Sequence, residues 1–319
     1  NKRARRAERS KGSVMGFVSI LDKTIQPYKD FSQPDFMVDL NLDQVVNQIQ
    51  MAWPEEVDKF YYYLPKDKEV SDYRRAIYAD IKKEGVFEAL NCFMERMRER
   101  NHAEENCHAV FYPLQKHVWF VLEVALYCDA CTGLNEALQG FEFASEGMQE
   151  FKKELSAYVS SEAYVKMQDA AREMRDEITN FHITLIYEND RIVVTEARQT
   201  GTYENFLHQA FGESSDRIKS PFMKNMNLTN LEQEIVEIFR KKHGKFVASA
   251  KKFYDVYEEY DKDWIFRFAD EVPFYLSYHR FRDVMISLGY TFTAPTVDES
   301  MDMKASGLDD LALALVNSR

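Results

Sequence analysis

Apolar residues recur every three or four positions along most of the chain, which is the period of an amphipathic α-helix. Asp39 or Asn41 is placed to cap the first such stretch, Ser71 to cap the second, and Pro113 occupies the first turn of the third. The predicted helices run over about 39–53, 71–112, 113–131, 142–157, 160–179, 202–211, 229–243 and 245–289.

The period changes from 3.6 to two over residues 183–194. Ile183, Leu185 and Tyr187 precede the polar turn sequence at 188–191, and Ile192 and Val194 follow it, in two runs rich in β-forming residues. Two alternating runs joined by a short polar turn are typical of a β-hairpin. The sequence therefore predicts one small hairpin inserted among helices.

The last helical stretch carries an aromatic stripe from Phe246 to Tyr278 at spacings of three and four. A single helix over 245–289 would be roughly 68 Å long, with a kink at Pro273. We interpret the stripe as a packing face rather than a surface that stacks bases or a cofactor. The pattern as a whole predicts a mainly α protein, an elongated helical bundle with long lever helices and a small inserted β-hairpin.

Composition narrows the class of protein. Gly (11) and Pro (8) have about half their usual share of a chain of 319 residues, which favours long helices over a sandwich or barrel. There is no apolar run of 18 residues, and the first 14 residues are too basic for a secretory signal. The four cysteines are too few to stabilise a chain of this length by disulfide bonds. We therefore expect a cytoplasmic protein with reduced thiols and no membrane partner.

The net charge of −12 conceals a local asymmetry. Residues 1–14 hold six basic residues and one acidic residue, leaving 35 basic and 52 acidic residues in the remainder. This first stretch is interpreted as a basic tag or upstream extension, with Met15 as the biological start. An acidic body is a poor partner for polyanions, so any contact with nucleic acid must be local.

One internal segment, 216–252, departs from the acidic average with nine basic and four acidic residues. Contact with a DNA backbone competes there with an ordinary solvated turn between helices. The candidate DNA-binding residues are Arg217, Lys219, Lys224, Arg240, Lys241, Lys242 and Lys245.

Common catalytic patterns are absent from the sequence, so this chain alone is not expected to be an enzyme. No glycine opens G-x-x-x-x-G-K-[ST] or G-x-G-x-x-G, and neither H-E-x-x-H nor G-x-S-x-G occurs. One set of histidines and cysteines has two interpretations, as ligands of a zinc ion or as residues placed for packing, with the cysteines buried as small apolar side chains. We favour packing, because two of the cysteines extend an apolar stripe. That set is His102, Cys107, His108, Cys128 and Cys131.

Several stretches of the chain resemble the core, lever and clamp region of the MutS family, and most closely its bacterial members without a mismatch-reading front end. The order of elements is also similar, with a helical body, a small β insertion and a long returning helix. The stretches that carry the resemblance are 15–21, 34–45, 60–65, 72–81, 269–276, 289–295 and 311–314.

The resemblance implies five regions. They are the extension (1–14), a helical core (15–180), a small β-containing clamp-like insertion (181–228), returning lever helices (229–290) and the truncated start of an ATPase domain (291–319). It also implies double-stranded DNA as partner and, for the full-length protein, a homodimeric ATPase that uses ATP and Mg²⁺. No cofactor is expected in this chain. The alternative is a helical protein–protein interaction scaffold without DNA binding.

Overall fold

The computed structural model describes residues 17–23, 32–63, 67–181, 183–188, 191–196, 230–296, 304, 306–307 and 309–317. Helices make up most of this part of the chain, so the prediction of a mainly α protein is confirmed. The predicted helix near 202–211 lies outside the described residues.

The helices follow the apolar period closely, although their ends differ from the predicted ones. Pro113 begins its helix as predicted, whereas Asn41 precedes its helix with a left-handed backbone (φ 53°) and makes no side-chain cap. The helix predicted to begin at Ser71 begins earlier, at Lys68. The bounds are α1 Asp35–Asp39, α2 Leu42–Met51, α3 Asp58–Tyr62, α4 Lys68–Ile81, α5 Glu84–Ala109, α6 Pro113–Leu138, α7 Glu146–Val159, α8 Glu162–Asn180, α9 Asn230–Lys242, α10 Gly244–Tyr257, α11 Asp263–Ser287 and α12 Leu311–Asn317.

Two strands, β1 (Ile183–Glu188) and β2 (Arg191–Glu196), stand between α8 and α9 in the chain. They pair antiparallel, with Ile183 opposite Glu196 and Glu188 opposite Arg191.

The chain forms two compact units, each built from separate segments. Unit 1 consists of the described parts of Asn1–Met94, Thr132–Val159 and Asp261–Arg319. Unit 2 consists of the described parts of Glu95–Cys131 and Ser160–Tyr260.

Residues 17–23, which form neither helix nor strand, pass through the interior of unit 1 and are called the strap below. Ile20 and Leu21 of the strap are fully buried. Glu271 of α11 accepts two hydrogen bonds from it, from Ser19 Oγ and from the amide of Ile20, both at 2.8 Å. Side chains thus supply hydrogen-bond partners to a backbone that lies outside regular secondary structure.

The strap carbonyls are also bound by side chains from helices of unit 1. Tyr73 Oη donates to the carbonyl of Ser19 at 2.7 Å, and Arg74 Nε donates to that of Leu21 at 2.9 Å. From α11, Arg267 donates to the carbonyl of Val18 at 2.8 Å and Tyr275 to that of Ile20 at 2.6 Å.

Helix α7 approaches α4 closely at Gly147, which is buried. A Cβ atom at this position would overlap the Tyr73 hydroxyl and approach Ile77 Cδ1 to 2.9 Å. Tyr73 cannot move away without losing its hydrogen bond to the strap. The glycine therefore permits both the contact between the helices and the binding of the strap.

Unit 2 encloses a buried ionic group. Arg100 of α5 donates from Nη2 to Glu123 Oε1 of α6 at 2.7 Å, and both side chains are buried. Tyr260 Oη accepts from Arg100 Nη2 and donates to Glu123 Oε1, each at 2.8 Å. Glu104 accepts a further bond from Arg100 Nη1 at 2.6 Å. Each charge therefore has the partners that make its burial tolerable.

Helix α6, Pro113–Leu138, is long and apolar enough to cross a membrane by length and composition alone. More than half of its apolar window (56%) is buried inside the protein. It also carries the buried, ion-paired Glu123. These features are those of a core helix, which passes the same test of length and composition.

The prediction of one helix over 245–289 is wrong, because α10 ends at Tyr257 and α11 begins at Asp263. The break falls beside Tyr260, which is held by Arg100 and Glu123. Helix α11 does continue through Pro273.

Candidate nucleic-acid interface

The strongest candidate site is the turn between α9 and α10, residues 240–245, called the basic turn below. Arg240, Lys241 and Lys242 form the last turn of α9. His243 interrupts the helix with a backbone outside the α region (φ −111°, ψ 41°), and Lys245 follows in the first turn of α10. Basic residues also compensate the negative end of a helix, so their presence in α9 has a structural use as well.

Arg240 is engaged by a neighbour within its own helix. Its Nε and Nη2 atoms lie 2.9 Å and 2.8 Å from Glu237 Oε2. The Tyr112 hydroxyl donates to the other carboxylate oxygen of Glu237. The hydrogen bond from Tyr112 and the bond from Arg240 lower the pKa of Glu237. This carboxylate stays ionised and neutralises part of the charge of Arg240.

The side chains of Lys241, Lys242 and Lys245 are exposed. The first acidic residue of α10 after the basic turn is Asp255, ten residues after Lys245, and it accepts a hydrogen bond from Lys251 at 2.7 Å. At 1.5 Å per residue this separation is about 15 Å, or about one and a half Debye lengths at 0.1 M salt. Glu237 of α9 is closer, and the charge of Lys241 contributes to the lowering of its pKa.

An aromatic cluster lies beside the basic turn. The ring of Phe181 lies 4.9 Å from that of Phe239, 4.8 Å from that of His243 and 4.8 Å from that of Phe246, between centroids. The rings of Phe239 and His243 are 4.4 Å apart with an interplanar angle of 31°. Phe246 is buried, whereas Phe181, Phe239 and His243 are half-buried. These three half-buried rings are called the aromatic platform below.

The cluster also brings the start of the segment inserted after α8 next to the end of α9. Phe181 directly follows α8 and precedes β1 by two residues, while Phe239 belongs to the last turns of α9. Their edge-to-face contact brings the point where the chain enters the insertion next to the basic turn.

The sequence prediction of DNA-binding residues covers this turn and more. Arg240, Lys241, Lys242 and Lys245 come together within it, whereas Arg217, Lys219 and Lys224 lie outside the described residues. The aromatic platform was missed, because Phe181 stands 58 residues before Phe239 and no local spacing connects them.

The five residues considered for zinc do not gather around a common point. Cys107, Cys128 and Cys131 are buried, whereas His102 and His108 are exposed. Among the described residues there is no group of three or more metal-ligating side chains that could hold an ion. Burial raises the pKa of the Cys128 thiol to about 12 and that of Cys131 well above its usual value. Both thiols are therefore packed as small apolar groups.

Unit 2 also has an open cavity of about 310 Å³. Trp119, Leu122 and Leu126 supply apolar lining, and His102 and Arg175 are its basic lining residues. Arg175 is occupied by Asp129, 2.7 Å away. The cavity thus offers little besides apolar contact.

Comparison of the chain with family models, with curated proteins and with solved structures finds no match.

Proposed function

We propose that this chain is the lever and reduced clamp region of a MutS-related, DNA-associated ATPase, and that its basic turn binds the phosphates of double-stranded DNA. The observation that carries the proposal is the cluster of four exposed cations at 240–245 in a chain whose remainder is acidic. Exposed lysines are suited to sequence-independent phosphate contacts.

The position of the basic turn supports the clamp part of the proposal. In the proposed arrangement β1 and β2 belong to a small clamp-like hairpin inserted between α8 and α9. The contact of Phe181 with Phe239 places the start of this insertion beside the cations. A duplex held by the clamp would then meet the lysines where the insertion joins the helices.

The proposed lever is built from two helices rather than from a single long one. Helices α10 and α11 are separate and belong to different units. Coupling to a nucleotide site would therefore pass through the break at 258–262, where Tyr260 is bonded to Arg100 and Glu123.

Nucleotide chemistry is proposed only for the full-length protein, as a cytoplasmic homodimer that uses ATP and Mg²⁺. The residues of this chain do not fit that cofactor, since none of its 11 glycines opens a phosphate-binding G-x-x-x-x-G-K-[ST] loop. The DNA contact is the activity to test in this chain.

The test is fluorescence anisotropy with a labelled duplex of about 20 base pairs at about 50 and 200 mM salt. The test variant carries Lys241→Glu, Lys242→Glu and Lys245→Glu. Three phosphate contacts predict a loss of affinity of about 40-fold for the unaltered chain over this fourfold rise in salt. The variant should not bind at either concentration.

A matched control carries the same change in charge elsewhere. Lys68, Lys82 and Lys153 are exposed lysines of unit 1, and changing all three to Glu leaves the basic turn intact. This control should bind with no more than the modest loss expected from net charge. Equal loss in both variants would assign the effect to net charge and remove the basic turn as the site.

A further inference from the structure

We propose that the aromatic platform of Phe181, Phe239 and His243 stacks an unpaired DNA base, so that this site prefers a duplex that adjoins a single-stranded segment. The inference rests on the proposed function, because it assigns the phosphates of the same DNA to the basic turn.

The first argument is the exposure of the rings. A ring cluster that served only as an internal packing core would be buried throughout, as Phe246 is at 4% exposure. Phe181, Phe239 and His243 are instead each half-buried, so part of the surface of each residue faces solvent. Every base has a flat π-face, and stacking on aromatic side chains is the usual means of holding one without reading its sequence.

The second argument is the charge around the rings. His243 is itself part of the basic turn, with Lys242 immediately before it and Lys245 two residues after it. The acid closest in sequence, Glu237, is bonded to Tyr112 and Arg240. Lysines on both sides of a half-buried ring suit a nucleotide, whose base stacks while its phosphates lie against the cations.

The rings and the neighbouring cations together favour a nucleic acid, rather than a protein, as the occupant of this surface. An apolar protein segment would bury the rings and would also have to cover the exposed Lys241, Lys242 and Lys245. Leaving such cations unpaired beneath an apolar partner is costly, whereas a polynucleotide pairs them with phosphates.

The experiment compares three labelled probes on the full chain. The first is a blunt duplex of about 20 base pairs, the second adds a tail of about five nucleotides containing 2-aminopurine, and the third adds an abasic tail with the same phosphates. The tail with bases should bind about 5- to 150-fold more tightly than the abasic tail, from the stacking of one base. Emission from 2-aminopurine should fall on binding.

Two variants locate the effect. His243→Asn removes the ring but keeps a residue favoured at the start of a helix, so α10 should be preserved. It should abolish the difference in affinity between the two tails. His243→Phe restores a ring and should restore the preference.

The outcomes separate the two proposals. If both tails bind equally and the charge-reversed Lys241, Lys242 and Lys245 variant binds neither, the phosphate site stands and the stacking inference is overturned. If no probe binds the unaltered chain, the proposed function fails and the inference fails with it. The comparison of the two tails needs no variant, so a misfolded variant does not leave the inference untested.

Discussion

The buried carboxyl of Glu271 leads to a prediction about stability and pH. Its two oxygens accept bonds from Ser19 Oγ and the amide of Ile20. Burial raises the pKa of Glu271 to about 8, while those two bonds and the charge of Arg267 act in the opposite direction and Asp270 adds a little to the rise. Replacing Glu271 with Gln keeps the shape of the side chain and removes its titration.

The size of the effect follows from the two pKa values. The folded chain retains the proton of Glu271 until about pH 8, whereas an unfolded chain releases it near the ordinary value of 4.5. Stability is therefore greatest at acid pH and falls as the pH rises between these values, by up to about 1.4 kcal/mol per pH unit. The full span corresponds to a loss on the order of 5 kcal/mol.

Urea unfolding of the unaltered chain and of Glu271→Gln at about pH 4 to 8.5 measures this loss. The two proteins should have similar free energies of unfolding at the acid end. At the alkaline end the variant should be more stable by several kcal/mol. Taking the difference between the two proteins removes contributions from other titrating groups.

A surface control distinguishes this effect from a general one. Glu88 is exposed in α5, and Glu88→Gln makes the same chemical change at the surface, so it serves as the reference for the loss of one surface carboxylate. The reasoning about Glu271 is refuted if the difference between the unaltered chain and Glu271→Gln is constant over the pH range, or if it favours the unaltered chain at high pH.

Two further predictions concern packing. Gly147→Ala should lower the free energy of unfolding by about 1–3 kcal/mol, because the new Cβ overlaps the Tyr73 hydroxyl. Gly133→Ala has nothing within 4 Å of the new Cβ and should be neutral or stabilising. Equal effects of the two substitutions in denaturant titrations would contradict this prediction. A thiol reagent should modify the exposed Cys92 in the folded chain and leave the three buried cysteines unmodified until denaturant is added. Mass spectrometry of the labelled chain measures this, and rapid labelling of Cys128 without denaturant would contradict the prediction.

The apolar period was sufficient to predict most helices of this chain. Long stripes such as the one through Val121, Ala125 and Cys128 face the interior, and a period of 3.6 follows directly from such one-sided burial. Pro113 added a correct start for α6, because proline suits a first turn.

Features that depend on distant residues were not predictable in this way. The apolar period continues through residues 258–262, although the helix does not, because Tyr260 is drawn into unit 2 by Arg100 and Glu123. The strap has no periodic pattern, since its backbone is satisfied by side chains such as Glu271, about 250 residues away.

In the candidate site, too, the features set by neighbouring residues could be predicted and those set by distant residues could not. A count of charges along the chain was enough to select the basic turn, since its cations are adjacent in sequence. The aromatic platform needed the fold, because Phe181 contacts Phe239 and His243 only when the end of α9 packs beside the end of α8.

The central claim is that the basic turn binds DNA phosphates, and the most direct test is the slope of log affinity against log salt for a short duplex between about 50 and 200 mM salt. Three contacts by Lys241, Lys242 and Lys245 predict a slope of about −2.7 for the unaltered chain. Binding should be lost when these three lysines are changed to Glu and kept when Lys68, Lys82 and Lys153 are changed instead. No binding at the lower salt concentration, or binding that survives reversal of the basic turn, would contradict the claim.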